Sequence, residues 1–481
     1  MCARAASFAP AVASRRELPT IPIVTNPPSE RLSFKEKLAY GLGDTASNFY
    51  FQFFNSFLVF YYTDIFGLPS ARVENLTLWA PIAVAALNPI IGLLADRTST
   101  RWGKFRPFLL WGAIPYGLLG FLMFTNPALS VSGRLVFAYV TYSLVLVIYA
   151  FINTPYGALM GVMSPSAEDR TSLSSYRFAC AFLGALLVGW LVPHLKDFLT
   201  PAGGSPADGF RNTMAIFAVL SVAMFVYTFA NTRERVAPPA RQESSLKEDL
   251  RVVGANWPWI VLFVAGFLNL ANVGLRNGAG IYYFKYVVGN EAAIGNFNFV
   301  GFLCFILGAL ATKLFTSRFP RKPLMVTFTL INGAGMVACY FVDPHNLPLL
   351  YACHIVASFA AGPTPAIVWS LYADTADYGE WKFGRRTTGL IFSATVFGQK
   401  VGLAIGSFLI AKLLTYYGFV ANVAQAAPVQ HGITLMFAIL PGCLGLLSGL
   451  SILLYAIDEP QVKQIERDLA ARKAGAAPAP A

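Results

Sequence analysis

Twelve long apolar runs follow one another along this chain, and no other feature restricts its fold as strongly. About 20 apolar residues cross the hydrocarbon core of a bilayer as a helix, because backbone polar groups in lipid must bond within their own segment. The runs lie near residues 37–63, 74–96, 106–125, 132–160, 174–194, 213–232, 256–286, 293–315, 323–342, 347–372, 387–416 and 431–456. We therefore predict an all-α membrane protein with twelve transmembrane helices.

The low content of charged residues agrees with a surface that faces lipid. Of the 481 residues, 56% are hydrophobic and 12% are charged, whereas soluble domains carry about 25% charged residues. The net charge of +12 would suggest a nucleic-acid partner in a soluble protein. Here the basic residues lie in short loops, so we expect no nucleic-acid partner. The 6 cysteines form no CxxC pair, which argues against a metal cluster or a disulfide framework.

The distribution of Lys and Arg predicts the orientation of the chain. These residues collect in the loops at 97–106, 313–322 and 382–386, whereas 343–346 and 418–430 contain none. Because short cytoplasmic loops are enriched in Lys and Arg, we expect both termini in the cytoplasm. The N-terminal residues lack a continuous apolar stretch, so they read as a tail rather than as a signal peptide.

A polar stretch separates the first six apolar runs from the last six. The loop GLLADRTSTRWGKFRP after the second run has a weak counterpart, TKLFTSRFPRKP, after the eighth run. Such a correspondence indicates two halves related by duplication, as in many membrane transporters. The predicted parts are a disordered cytoplasmic tail at 1–33, a six-helix half at 34–232, a cytoplasmic linker at 233–255, a second six-helix half at 256–458 and a cytoplasmic tail at 459–481.

Six motifs resemble those of one transporter family. They are KLAYGLGD (37–44), YYTDIFGL (61–68), RWGKFRPF (101–108), NTPYGAL (153–159), IYYFKYV (281–287) and ADTADYGEWKFGRR (373–386). Together with the loop GLLADR, they are similar to the glycoside–pentoside–hexuronide transporters of the major facilitator superfamily, which include the melibiose and glucuronide permeases. The glucuronide type is the more similar of the two.

The resemblance runs through nearly all of residues 34–460 and carries several expectations. It implies the major facilitator fold, with twelve helices in two six-helix halves, in a bacterial inner membrane. It also implies transport of a sugar, glycoside or sugar acid by alternating access, coupled to H⁺ or Na⁺, without a cofactor. One chain holds the whole path, so we expect a functional monomer.

The chain departs from the melibiose pattern at the acids that this resemblance associates with cation and sugar binding. The two cation-site acids of the second helix fall at Val84 and Asn88, and two sugar-site acids fall at Asn48 and Asn153. An amide does not titrate and does not neutralise a cation, so coupling through the usual site is in doubt. Asp44 is the remaining deep acid. It is either the coupling residue or part of a structural ion pair.

Two basic residues lie deep in apolar runs. Lys400 matches a lysine that the family places at the cation and sugar pocket, and Arg276 lies about 15 Å from the outer end of its helix. A charge at such depth must be paired or hydrated. One interpretation is that both recognise a carboxylate or act as built-in cations. The alternative is that Lys400 pairs with Asp44 while Arg276 extends outward to the interface.

The remaining binding candidates come from spacing and from the resemblance. Tyr149 and Asn153 are spaced i, i+4 and therefore share one helix face. Trp369 is a candidate for stacking on a sugar ring, with ordinary packing between helices as the alternative. Arg177 matches a family arginine of the pocket or of the cytoplasmic gate. With these four, the predicted substrate residues are Asn48, Asn88, Tyr149, Asn153, Arg177, Arg276, Trp369 and Lys400.

Charged residues at the predicted cytoplasmic ends form a predicted gate. The superfamily loop places Asp96 near Arg101 and Arg106, where pairing between the halves would hold the inner side closed. The alternative is that the basic residues only set the topology. The full set of gating candidates is Asp96, Arg97, Arg101, Lys104, Arg106, Asp374, Asp377 and Arg386.

Three function classes follow from these features. The first is a sugar transporter, either a proton-coupled symporter or an uncoupled facilitator of a sugar acid. The second is a sensor that keeps the transporter fold without transport. The third, an enzyme, is disfavoured because we find no nucleophile–base pair, metal-ligand spacing or phosphate loop.

Overall fold

A computed structural model of the chain describes residues 32–164, 167–235, 246–385 and 387–475. Within these ranges the regular structure is helical. In chain order the helices are α1 (Phe34–Phe60), α2 (Ser70–Arg97), α3 (Arg106–Met123), α4 (Val131–Met163), α5 (Ala167–Phe198), α6 (Pro206–Asn231), α7 (Leu246–Ala255), α8 (Trp257–Tyr283), α9 (Ala293–Thr316), α10 (Arg321–Ala338), α11 (Leu347–Ala361), α12 (Thr364–Phe383), α13 (Thr388–Tyr416), α14 (Ala427–Thr434), α15 (Leu440–Ile452) and α16 (Glu459–Gly475).

Eleven helical segments of the described residues are long and apolar enough to cross a membrane. They correspond to eleven of the twelve predicted spans, with α11–α12 and α14–α15 each forming one segment. The predicted first span corresponds to α1, which has 27 residues. It is less apolar than those eleven spans because it contains the amides Asn48, Gln52 and Asn55 as well as Asp44. The predicted all-α membrane fold is confirmed.

The long helices pack in two sets. In the first set α1 packs against α5 and α6, and α3 packs against α4 and α6. In the second set α8 packs against α13 and α15, and α10 packs against α11 and α15. The sets meet where α2 lies on α13, α5 on α9 and α1 on α8. The boundary between the sets is therefore formed by α1, α2 and α5 on one side and α8, α9 and α13 on the other.

The helices α1 and α8 end in the same way. Each continues into a five-residue π-helical segment, Tyr61–Ile65 after α1 and Phe284–Val288 after α8. A glycine in the left-handed region follows each segment, with φ of 72° at Gly67 and 78° at Gly289. Because π-helical turns are rare and occur mostly at functional sites, these two ends mark a region that matters for function.

Two predicted boundaries differ from the structure. The predicted span 347–372 is interrupted after α11 and continues to residue 383 as α12. The break falls at Gly362 and Pro363, where the chain passes very close to α9: a Cβ added at Gly362 would lie 2.2 Å from the Phe305 carbonyl oxygen. Proline also lacks the N–H that would continue the helix.

Helices also occupy parts of the chain that the sequence predicted as linker and tail. The linker contains α7, and residues 459–475 of the C-terminal tail form α16. The helix α16 is attached to α12, because the Trp381 indole N–H donates to Asp468 at 2.9 Å and Arg472 donates to the Trp381 carbonyl at 3.0 Å. Residues 1–31 of the predicted N-terminal tail (1–33) lie outside the described residues.

Candidate functional site

A cavity lies between the two helix sets, bordered by α1, α2, α4 and α13. Its volume is about 120 Å³. Its lining residues are Phe51, Phe54, Asn55, Thr77, Pro81, Val84, Ala85, Asn88, Tyr142, Leu146, Tyr149, Ala150, Lys400, Leu403, Ala404 and Ser407. Three of the predicted substrate residues are brought together here: Asn88, Tyr149 and Lys400.

The cavity combines aromatic faces with a few polar groups. Tyr149 stacks on Phe51, with ring centroids 6.3 Å apart, and Phe54 meets Tyr142 edge to face at 5.3 Å. Aromatic faces suit the C–H surfaces of a sugar ring, and the amides and hydroxyls of the lining suit its hydroxyl groups. The cavity therefore has the chemistry that a sugar requires.

Lys400 is the charged residue among those that line the cavity, and none of the described lining residues is acidic. The Lys400 side chain is exposed, and it extends from α13 toward α2 and α4. The alternative prediction that Lys400 pairs with Asp44 is wrong, because Asp44 pairs with Arg177. Lys400 thus brings positive charge to the cavity wall.

A second polar cluster joins α1 to α4 and α5. Arg177 donates from Nε to Oδ2 of Asp44 at 3.3 Å, and its guanidinium lies over the Tyr156 ring, 5.2 Å from the centroid. The Asn48 amide donates to the Asp44 carbonyl oxygen at 2.8 Å. The predicted residues Asp44, Asn48 and Arg177 are thus neighbours within the first helix set.

Two predicted amides are held by neighbouring helices. Asn153 accepts from the Ser47 hydroxyl at 2.9 Å and donates to the Tyr149 carbonyl oxygen at 2.9 Å. The Asn88 carbonyl oxygen accepts from the Thr154 hydroxyl at 3.3 Å. Because Asn153 bonds to the backbone of Tyr149, it links the polar cluster to the cavity wall.

Arg276 lies apart from the cavity lining, on the side of α8 that faces its own helix set. It is 6% exposed, and its guanidinium lies 3.5 Å from the centroid of the Phe437 ring. It also donates to the Phe437 carbonyl oxygen and, at 3.8 Å, to the Cys339 sulfur. A backbone carbonyl and a ring face thus supply the partners that a deep charge requires. The alternative prediction of an outward extension is wrong, because the side chain is buried.

Trp369 packs between helices. Its ring stacks on Phe392 at 5.7 Å and 9°, and it meets Tyr372 edge to face at 5.7 Å. It is not among the residues that line the cavity. In this conformation the packing interpretation describes Trp369 better than the stacking one.

The gating candidates lie at one end of the bundle, which we call the Glu234 end. The Glu234 carboxylate caps α3 by accepting from the backbone N–H groups of Lys104, Phe105 and Arg106 at 2.7–2.9 Å. The Arg106 side chain donates to the Phe229 carbonyl oxygen at 2.6 Å, and the Arg101 guanidinium lies 4.7 Å from the centroid of the Trp102 ring.

In the second helix set, Arg321 donates to Asp374 at 3.0 Å and to Glu459 at 2.8 Å. Asp377 lies half-buried on α12, and Arg97 is exposed at the end of α2. These contacts at the Glu234 end join residues of the same helix set. The Asp96 side chain and Arg386 lie outside the described part of the chain.

The opposite end, which we call the Asp64 end, is held closed by contacts between the two sets. Asp64 accepts from Lys285 at 3.0 Å and from Tyr286, and Asn422 donates to the Asp64 carbonyl oxygen at 2.7 Å. Lys196 of α5 pairs with Glu291 at 2.9 Å.

The sequence analysis missed several polar residues of the site. Asn55, Thr77, Tyr142 and Ser407 line the cavity, and Asp64 and Lys285 close the Asp64 end. Asn55 stands in an apolar run and carried the same signal as the amides that were selected. The signal for Asp64 and Lys285 was their matching position after Tyr-Tyr in two similar motifs, YYTD and YYFK.

Comparisons with known proteins agree with this architecture. The sequence model of the family described as MFS/sugar transport protein matches residues 39–459. A protein named putative glycoside/cation symporter YagG, from Escherichia coli, is 33% identical over 450 residues, which cover 92% of this chain and 96% of the relative. The isoprimeverose transporter of Lactiplantibacillus pentosus is 31% identical over 434 residues, with 90% of each chain covered.

A solved structure shares the fold. The crystal structure of a D-xylose-proton symporter aligns with a TM-score of 0.64 at 16% identity, over 88% of this chain and 98% of the other. At this identity the likeness concerns the fold alone. The expected major facilitator architecture is confirmed.

Proposed function

Because this chain belongs to the family of MFS/sugar transport proteins, we propose that it carries a sugar, glycoside or sugar acid across the bacterial inner membrane by alternating access. The observation that carries the proposal is the cavity between the two helix sets, lined by aromatic rings, amides and Lys400. Transporters of this architecture bind their solute near the bilayer midplane, between the halves. The names of the two relatives, a glycoside/cation symporter and an isoprimeverose transporter, support a sugar-like solute.

The conformation corresponds to the inward-facing state of such a cycle. The Asp64 end is closed by contacts between the halves, whereas the contacts described above at the Glu234 end lie within each half. The positive loops belong to the Glu234 end, which we assign to the cytoplasm together with both termini. In this assignment the chain makes twelve crossings, with α1 as the first. It works as a monomer, because the cavity is built from one chain.

The cavity recognises the solute in two ways, through charge and through hydrogen bonds. Lys400 supplies a positive charge to a cavity whose described lining contains no acid, and a ligand of opposite charge is attracted to it. This favours a solute that carries a carboxylate, such as a uronic acid. Asn88 and Tyr149 are proposed to contact the hydroxyl groups, with Asn48 and Asn153 supporting them from the adjoining cluster.

Coupling to a proton is proposed at Asp44. The positions of the usual cation-site acids hold Val84 and Asn88, which do not titrate. Asp44 titrates, is 8% exposed and lies in the polar cluster that adjoins the cavity. Protonation of Asp44 would release Arg177, and Arg177 would then reorganise the cluster beside Asn48 and Asn153.

The proposal is tested first by binding and then by transport. The purified protein is heated with neutral glycosides, pentoses and uronic acids, because a ligand of the native state raises the apparent stability by RT ln(1 + [L]/Kd). Each stabilising compound is then tested for counterflow in proteoliposomes, and for accumulation driven by a pH gradient. We expect uronic acids to stabilise the protein, to exchange, and to accumulate when the outside is acidic.

The outcomes separate the candidate functions. Stabilisation without counterflow would replace transport with a sensor role. Counterflow without gradient-driven accumulation would indicate an uncoupled facilitator. Asp44→Asn is expected to retain counterflow and to lose accumulation, and a variant that still accumulates solute would remove Asp44 as the coupling residue.

A further inference from the structure

Asn55 is a polar residue of the cavity that carries an unused hydrogen-bond acceptor. It lies on α1, it lines the cavity, and it is 9% exposed. Its Oδ1 atom is buried and has no hydrogen-bond partner among the residues that the structure describes. We propose that Asn55 binds the solute by accepting a hydrogen bond from one of its hydroxyl groups. This inference rests on the proposed transport of a sugar-like solute.

A buried acceptor without a partner is unfavourable. It loses its bond to water on folding and gains none in return. In folded proteins such atoms are rare, and a specific one calls for an explanation, such as strain, a functional role, or a bound water or ion. The position of Asn55 on a cavity wall supplies this explanation, because a solute in the cavity lies beside the amide.

Two polar groups near Asn55 bond to atoms other than its Oδ1. On the same helix Gln52 donates to the Ser56 hydroxyl at 2.8 Å. On the cavity wall, the Thr77 hydroxyl lies within 3.1 Å of two carbonyl oxygens of its own helix, those of Val73 and Glu74. The Asn55 acceptor is thus available to a donor that enters the cavity.

Asn55 lies at a level of the bundle where it can contact a solute near the closed Asp64 end of the cavity. It lies nine residues before Asp64, about 13 Å at the helical rise, and seven residues beyond Asn48, about 10 Å. The backbone of α8 passes close by, since a Cβ added at Gly278 would lie 3.3 Å from the Asn55 carbonyl oxygen. Asn55 thus stands where the two halves meet, below the closed Asp64 end.

The surroundings fit a sugar hydroxyl better than an apolar group. Phe54, the preceding residue, meets Tyr142 edge to face at 5.3 Å, and both line the cavity. A pyranose against these rings would direct its hydroxyl groups outward from its edge, toward Oδ1 of Asn55. Lys400 lies on α13, two helical turns nearer the Glu234 end than Ser407. The proposed recognition of charge by Lys400 and of a hydroxyl group by Asn55 therefore takes place at different levels of the cavity.

The test compares Asn55→Leu with Asn272→Leu. Asn272 is a matched control, because it is 1% exposed and its Oδ1 is also buried without a partner in the described residues, but it is not among the residues that line the cavity. Thermal stability is measured without ligand and with methyl glucosides, methyl xylosides and methyl glucuronides. Removing an unpaired acceptor leaves the ligand-free stability unchanged or higher.

We expect Asn55→Leu to keep the ligand-free stability and to weaken binding of the stabilising sugars by about tenfold, whereas Asn272→Leu keeps their binding. A large loss of ligand-free stability in Asn55→Leu would overturn the inference, because Oδ1 would then have a structural partner. Unchanged sugar binding in a stable Asn55→Leu would overturn it as well. If no sugar stabilises the wild type, the proposed solute class fails, and the ligand-free comparison still decides whether Oδ1 is unpaired.

Discussion

The Lys285 ammonium lies 3.0 Å from the Asp64 carboxylate and joins the first helix set to the second. The Asp64 side chain is fully buried, at 0% exposure, and it also accepts from the Thr63 hydroxyl at 2.7 Å and from Tyr286. Both partners lie in the π-helical ends of α1 and α8. Corresponding positions of two related halves thus carry opposite charges and hold one end of the bundle closed.

Loss of this pair is expected to open the Asp64 end. Ser70 and Thr415 lie across the same interface, with their hydroxyl oxygens 2.9 Å apart, so cysteines at both positions report closure through disulfide formation in a cysteine-free background. Asp64→Asn should slow this cross-linking about tenfold, because breaking a buried charge pair costs about 2–5 kcal/mol. Asp208→Asn is the control, since Asp208 pairs with Arg211 within α6. Equal cross-linking rates for Asp64→Asn and the parent would contradict the role of the pair.

Lys400 is expected to set the preference for acidic solutes. In Lys400→Met, the affinity for a methyl glucuronide should fall by roughly tenfold, because its carboxylate loses a charged hydrogen-bond partner. The affinity for the matching methyl glucoside should change much less. Isothermal titration with this ligand pair measures the difference. An equal loss of affinity for both ligands would mean that Lys400 supports the structure of the cavity and does not recognise the charge of the solute.

Arg276 is expected to stabilise the fold rather than to read the solute. Its guanidinium is held between the Phe437 ring and carbonyl oxygen and the Cys339 sulfur. Arg276→Ala should lower the free energy of unfolding by about 2–4 kcal/mol, through a cavity and an unpaired carbonyl. The preference for glucuronide over glucoside should persist. A stable Arg276→Ala protein that no longer distinguishes the two ligands would restore the carboxylate role predicted from the sequence.

The close crossing of α9 and α11 should tolerate no added methyl group. A Cβ at Gly308 would lie 2.2 Å from the Phe359 carbonyl oxygen, whereas one at Gly157 would meet nothing within 4 Å. Gly308→Ala should lower stability by about 1–3 kcal/mol, and Gly157→Ala should leave it unchanged or raise it slightly. Thermal unfolding of both variants in detergent provides the comparison, and similar melting temperatures would argue against a rigid crossing.

The attachment of α16 is expected to weaken in acid. The Arg321 guanidinium holds the pKa of the Glu459 carboxyl below its usual range. A carboxyl whose pKa is lowered by folding stabilises the folded state above its unfolded pKa, near 4.3, and this contribution is lost as the pH falls through the folded pKa. Deuterium exchange in α16 should therefore quicken below about pH 4. At pH 7, Glu459→Gln should quicken it and Glu466→Gln should not. Equal exchange in both variants would show that the pair does not hold the helix.

The order and approximate positions of the helices could be predicted from the sequence, because a bilayer-length apolar run has only one way to satisfy its backbone polar groups. The same reasoning placed Tyr149 and Asn153 on one face of α4, since helical spacing is a local property. Asn88 and Lys400 were selected for the cavity through the resemblance to known transporters.

The tertiary structure decided which polar and charged side chains pair with one another. The sequence left Asp44 open to Lys400, but α5 places Arg177 beside it. Arg276 contacts the carbonyl and the ring of Phe437, which lies between α14 and α15, and Oδ1 of Asn55 has no partner among the described residues. These outcomes depend on how each helix is rotated and which helix lies next to it. Apolar runs fix neither, because lipid and protein interiors are nearly equivalent surroundings for an apolar side chain. The sequence by itself therefore determined the membrane spans and the polar side chains that each span contains. The packing of the helices determined which of those side chains are paired and which remain available to the solute.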